Sequence, residues 1–137
     1  MSDRISPEAR SRNMSRIRNA NTGPEMIVRR LVHSMGHRYR LHRRDLPGCP
    51  DVVFPVMKKA IFVHGCFWHR HEGCKYAYTP KSRENFWITK LEGNRIRDKE
   101  NLVKLEGLKW KTLVIWECET DDLDLLRKRI HVFLVQQ

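Results

Sequence analysis

No stretch of this sequence holds the ~18–20 consecutive apolar residues that a bilayer-crossing helix needs. Its first residues, MSDRISPEARSRN, carry no apolar segment of the kind that opens a secretory signal. Neither a membrane span nor a signal peptide is expected. Glycine (7) and proline (6) are too few for a fibrous chain, and no internal repeat or low-complexity linker divides it. Acid is in the minority among the charges: 16 Asp and Glu face 27 Lys and Arg, for a net charge of +11 and a pI near 10.0. Such an excess draws a small domain to polyanions, of which nucleic acid is the expected one. An anionic membrane surface would call for a basic amphipathic helix with a broad apolar face, and the sequence has none. Cysteine is scarce as well, with Cys49, Cys66, Cys74 and Cys118 only. In a reducing compartment, cysteines near histidines point to a metal before a disulfide.

What is present suits one folded unit. The chain has 137 residues, 40% of them hydrophobic, enough for a single core. Residues 1–23 form a basic arm with Arg4, Arg10, Arg12, Arg16 and Arg18 and only scattered apolar side chains; it reads either as a solvated tail or as a segment that orders on DNA. Residues 24–137 form the domain proper. Thr22 or Asn21 caps a first helix, Pro24 suits its first turn, and Gly36 its stop, while Val28, Leu31, Val32 and Met35 give one buried stripe. A short strand is predicted over Tyr39–His42, a second over Asp51–Phe54 after the loop DLPGCP, and a third over Ala60–Val63. A long helix from about Asn85 to Glu106, a central strand over Leu108–Cys118 and a last helix from near Asp121 complete the pattern. Arg127-Lys128-Arg129 is expected near that helix's end, where cations favour the dipole. This order predicts an α/β domain, a mixed sheet flanked by helices.

Chemistry concentrates in HGCFWHRHEGC. Cys66, His71 and Cys74 fall within nine residues, and Cys118 closes a later strand. Three thiolates and an imidazole are a standard tetrahedral zinc set. Such a site supplies ~10–16 kcal/mol of apparent stabilisation, enough to order a loop with no core of its own. His64 and His69 stand close enough in sequence to compete with His71, and Cys49 reads as a plain buried thiol. A closed site of this kind does no chemistry itself, so catalysis must lie elsewhere.

Two carboxylates stand out. Asp51 follows Pro50 at a strand start, and His64 ends the neighbouring strand. Asp98 shares a helical stripe with Trp87, Leu91, Leu102 and Leu105, which puts a charge on an apolar face. It therefore needs an arginine, a histidine or a metal-bound water as partner. Phe67 and Trp68 lie between a zinc ligand and a histidine, and read either as core or as exposed function.

Together RSRNM with Ile17, LPGCPDVVF, IFVHGCFWHRH, ENFW with a downstream RD, and WKTLVIWEC cover nearly the whole chain. In these stretches the sequence resembles the very-short-patch-repair mismatch endonucleases of bacteria. The resemblance implies a restriction-endonuclease-like core and a Mg²⁺-dependent endodeoxyribonuclease. Asp51 would bind Mg²⁺ with the backbone carbonyl of Val63, His69 would be general base oriented by Asp98, and His64 would assist at the phosphate. Glu25 would hold a metal-bound water. Zn²⁺ would be structural, on Cys66, His71, Cys74 and Cys118. The lysine usual to this nuclease superfamily is missing after the second strand, where histidines stand instead. Phe67, Trp68 and Met14 would wedge into the base stack beside the mismatch, with Arg12 and Arg16 on the DNA. The implied substrate is double-stranded DNA with a T·G mismatch left by deaminated 5-methylcytosine, nicked 5′ to the T. The protein would act as a monomer in the bacterial cytoplasm, at the nucleoid, with transient contacts to other repair proteins. Two other readings remain: a zinc-stabilised DNA-binding module without catalysis, and a nuclease of the same fold that cuts unmodified sites. Asp51, His69 and Asp98 together separate the first of these, because a pure binder has no use for the set.

Overall fold

The computed structural model describes residues 22–136. The basic arm, with Arg12, Met14 and Arg16, lies outside the described residues. Helix α1 spans Gly23–Ser34; Thr22 is its N-cap and accepts from the Glu25 N–H at 3.3 Å. It ends as expected at a positive-φ glycine, Gly36, whose N–H donates to the His33 carbonyl. Strands β1 (Arg40–Leu41), β2 (Val52–Phe54) and β3 (Lys59–His64) follow as an antiparallel meander. Helix α2 (Glu84–Gly107) then crosses to β4 (Lys111–Trp116), which pairs with β3 in parallel. A 3₁₀ turn over Glu117–Asp121 leads into α3 (Leu123–Val135), capped by the Asp122 carboxylate.

Strand periodicity separates two cores. Val52, Phe54, Ile61 and Ile115 pack on one face against Val28, Leu31 and Val32 of α1 and Leu126, Ile130 and Phe133 of α3. Val53, Ala60 and Phe62 face the other way, onto Leu46 and Leu105. Strand β3 is thus covered on both faces and carries the site residues at its far end. The DLPGCP loop is pressed onto α2. Gly48 has φ +77, and a Cβ there would sit 3.0 Å from Asn101 Cβ and 3.1 Å from Phe62. Glycine is what lets the loop approach closely enough to start β2 at Val52, just behind Asp51.

Three expectations are corrected. The strand predicted over Leu108–Cys118 is shorter and is not central: the sheet order is β1-β2-β3-β4, and β4 lies at an edge. Leu108 instead closes α2, its N–H donating to the Lys104 carbonyl, and Glu117 and Cys118 belong to the 3₁₀ turn. Arg127-Lys128-Arg129 occupies the middle of α3, whose last turn has no basic residue. The cation at that end comes from β3. Buried Lys59 donates through Nζ to the carbonyls of Phe133 (2.8 Å), Leu134 (2.9 Å) and Gln136. Cys49, read as a buried thiol, is half-buried in a left-handed turn of the loop (φ +50).

Lys59 thus satisfies helix-end carbonyls that would otherwise be buried without donors. Charged hydrogen bonds of this kind contribute roughly 1.5–3 kcal/mol each, and orphaned acceptors cost comparably. Lys59→Met should lower stability to chemical denaturation by about 2–4 kcal/mol and speed amide exchange in the last turn of α3. Unchanged exchange there would show that the lysine does not cap the helix.

Candidate active site and metal cluster

After His64 the chain coils tightly over residues 65–71. The His69 N–H donates to the Gly65 carbonyl (3.1 Å), and the His71 N–H to that of Cys66 (3.0 Å). Arg70, at φ +53, turns the chain out of the coil. This single coil brings residues five apart face to face, twice. The His69 ring stacks on the His64 ring, with centroids 3.8 Å apart and planes 5° apart. His71 Nδ1 returns to within 3.6 Å of Cys66 Sγ.

The second of these pairs belongs to a cluster. Cys66, His71, Cys74 and Cys118 each offer a ligand atom, all within 4.8 Å of one another, and Cys118 Sγ lies 3.5 Å from His71 Nδ1. A tetrahedral cation with Zn–S of about 2.3 Å and Zn–N of about 2.0–2.1 Å needs S···N separations of about 3.5–3.6 Å. The donor set and its spacing fit zinc. His71 is the histidine of this cluster, while His64 and His69 sit with Asp98. The imidazole of His71 stacks on Trp116 at 4.1 Å, which fixes its plane. With no cation beside it, burial pushes the Cys66 thiol up to about 12. A bound cation would invert that order by favouring thiolate.

The first pair opens on a cavity of about 350 Å³ lined by Glu25, Asp51, Val63, Phe67, Trp68 and His69, with Glu117 at its wall. His69 Nδ1 lies 2.6 Å from Asp98 Oδ2. Of the partners open to Asp98, the structure therefore selects a histidine. With Nδ1–H donating to the carboxylate, Nε2 keeps its lone pair, as a general base requires. Asp98 sits at the border of the apolar stripe, its side chain 22% exposed. The buried polar position on α2 is Asn94, which donates to the Trp68 carbonyl at 3.1 Å. His64 is buried, with its ring edge on Trp116.

Asp51 accepts the Val63 N–H at 2.7 Å, which ties the loop before β2 to the end of β3. Burial pushes its carboxyl up to about 6; the Val63 N–H works against that rise, and the nearby Glu25 adds to it. Glu25 is 2% exposed, and His42, a residue that sequence reasoning missed, lies on it: Nε2 to Oε2 is 2.9 Å. Glu25, His42 and Asp51 form a group whose ligand atoms fall within 4.8 Å. Two carboxylates drawn together in so covered a place fit a divalent cation. No sequence signal marked His42, because its contact reaches back 17 residues to another element. Glu117 was within reach of the sequence, as the middle residue of WEC, but nothing distinguished it from a solvated acid.

Phe67 and Trp68, open between core and function, pack here as core. Trp68 is 5% exposed against Trp87 and Leu91, with Phe67 and Phe86 alongside. Both also line the cavity.

A carboxyl raised from 3.8 to about 6 on folding binds more protons in the folded chain. Without metal, stability should therefore rise as pH falls through 6 toward 4, and ionised Asp51 should oppose folding at neutral pH. Asp51→Asn, whose amide oxygen still accepts the Val63 N–H, should stabilise the metal-free protein at pH 7.5 by on the order of 2 kcal/mol. Its gain should vanish near pH 4. A variant less stable than wild type at pH 7.5 in chelator would refute this electrostatic account.

The family model described as DNA mismatch endonuclease Vsr matches residues 2–75. "Type II nicking enzyme V.XorIIP" of Xanthomonas oryzae pv. oryzae is 49% identical over 134 residues, 98% of each chain. "Type II nicking enzyme V.NmeAIP" of Neisseria meningitidis is 37% identical, covering 96% of this chain and 93% of its own. "DNA mismatch endonuclease Vsr" of Escherichia coli is 36% identical over 86% of this chain and 75% of its own. With an aspartate beside a buried glutamate, a histidine–aspartate pair and a Cys₃His cluster in place on a mixed α/β frame, the chain belongs to the Vsr family of DNA mismatch endonucleases.

Proposed function

We propose that this protein nicks double-stranded DNA 5′ to the T of a T·G mismatch left by deaminated 5-methylcytosine, on a restriction-endonuclease-like core. The observation that carries this reading is the convergence on one cavity of Asp51 and of His69 held by Asp98. A DNA-binding module without catalysis has no use for that convergence. Asp51 and the Val63 carbonyl would hold Mg²⁺, which when bound neutralises charge building on the scissile phosphate. His69 Nε2 accepts a proton from the attacking water as the water oxygen bonds to phosphorus. The P–O bond to the 3′ oxygen breaks, and that oxygen takes a proton from a solvent water and leaves as a hydroxyl. Asp98 keeps the proton on Nδ1 and stabilises the imidazolium that forms. His64, stacked under His69, is placed to assist at the phosphate. Glu25 adds its charge beside Asp51.

Zinc on Cys66, His71, Cys74 and Cys118 is the structural partner to this site, since it closes the coil that carries His69. The DNA contacts fall to Phe67 and Trp68 at the cavity, joined by Met14, Arg12 and Arg16 of the arm. Trp68 would have to leave the Trp87–Leu91 cluster to reach a base stack. The cost of opening the base stack to it is smallest where the bases are already poorly paired.

Nicking of a labelled duplex, with and without the T·G mismatch, tests the reaction. Asp51→Ala and His69→Ala should each lower the single-turnover rate by about 10²–10⁴-fold, with mismatch binding in chelator retained. Equal nicking of matched and mismatched duplex would favour an enzyme for unmodified sites, and near wild-type nicking by Asp51→Ala would place the active site elsewhere.

Elemental analysis should find one zinc per chain. Cys118→Ser should lose most of it together with several degrees of melting temperature. Full zinc content in that variant would remove Cys118 from the ligand set.

A further inference from the structure

Glu25 lies in the first turn of α1 and is almost fully buried. A carboxylate taken out of water needs donors in compensation. His42 supplies one, with Nε2 at 2.9 Å from Oε2; Arg29 reaches the same oxygen at 3.5 Å from the next turn of the helix. His42 is engaged a second time through its main chain, where its N–H donates to the Asp51 carbonyl at 3.2 Å. One residue thus bonds the segment that carries Asp51 and the side chain of Glu25. Its backbone is unusual: φ is +47, in the left-handed region that non-glycine residues seldom adopt. The turn comes one residue after β1, where the ladder with β2 ends at Leu41 and Val52.

We propose that His42 is a positioning residue for the divalent-cation site: its Nε2–H holds the Glu25 carboxylate against the Asp51 segment, so that both carboxylates meet the cation as a pre-set pair. This rests on the reading of Asp51 as a cation ligand. Without the imidazole, Glu25 keeps Arg29, which lies on its own helix and pulls along α1 without any tie to Asp51. The carboxylate pair is then no longer fixed across the two elements. Groups that orient metal-binding carboxylates in this way commonly change affinity by about tenfold or more when removed. Glutamine can stand in, because its amide offers an N–H donor on a side chain of similar reach.

The test uses the full chain as purified, with no DNA, and follows Mn²⁺ binding through the electron paramagnetic resonance signal of the free ion. Melting temperatures are recorded in chelator beside it. His42→Ala should weaken Mn²⁺ binding about tenfold, and His42→Gln should bind within about twofold of wild type. Should His42→Ala bind Mn²⁺ as tightly as wild type, or His42→Gln as weakly as the alanine variant, the proposal is overturned. A lower melting temperature with unaltered Mn²⁺ affinity would show a merely structural histidine and overturn it too. Wild-type protein that binds no Mn²⁺ would overturn the cation site and this role with it, a result distinguishable from a failure of His42 alone.

Discussion

The coil over residues 65–71 is the constraint on which the site depends. Its hydrogen bonds from His69 to Gly65 and from His71 to Cys66 set a five-residue return. That return builds the His64–His69 stack and the Cys66–His71 contact in the same few ångströms of chain. Trp68 anchors the coil to α2 through Trp87 and Leu91, and two polar contacts add to that anchor. These are Cys118, in the 3₁₀ turn after β4, against His71, and Asp98 of α2 against His69. A cation in the Cys₃His cluster would then be a clamp on the proposed base as well as on the loop.

The frame around the coil explains why these contacts are possible. Strand β3 is inside the sheet and covered on both faces, so its end is a fixed point. The parallel pairing with β4 puts Trp116 beside His64 and carries Cys118 to the cluster. Helix α2, which makes the crossover, bears Asp98 on the way. Gly48 lets the Asp51 loop lie against α2, and the Asp51–Val63 hydrogen bond closes the cavity. The raised Asp51 carboxyl is one identifiable place where the site works against the stability of the fold.

Much of this was legible in the sequence because it is local. The Cys₃His quartet shows in the spacing of Cys66, His71 and Cys74. The first helix shows in its stripe and cap, and Asp98 in its place on an otherwise apolar face. The parts that were not legible are non-local or depend on backbone conformation. His42 meets Glu25 only because β1 ends in a left-handed turn. Lys59 displaces the expected arginines as the cation at the end of α3, since strand β3 starts beneath it. The WKTLVIWEC stretch reads as a central strand by its hydrophobicity, yet β4 lies at the sheet edge and owes its apolar residues to α2 and α3. Trp68 shows how a residue type can fit two readings, for a large aromatic suits a core and a base stack equally.

With a cation bound, the Cys₃His cluster and the His69–Asp98 pair would act as one mechanical unit. The Nδ1–H of His69, bonded to Asp98 at 2.6 Å, gives that claim a direct reporter. Proton NMR of the protein with ¹⁵N-labelled histidine would follow this hydrogen with zinc bound and after its removal. A low-field, exchange-protected Nδ1–H signal should disappear when zinc is stripped and return when it is restored. A signal that persists unchanged in the zinc-free protein would contradict it, because His69 would then be held by Asp98 without help from the cluster.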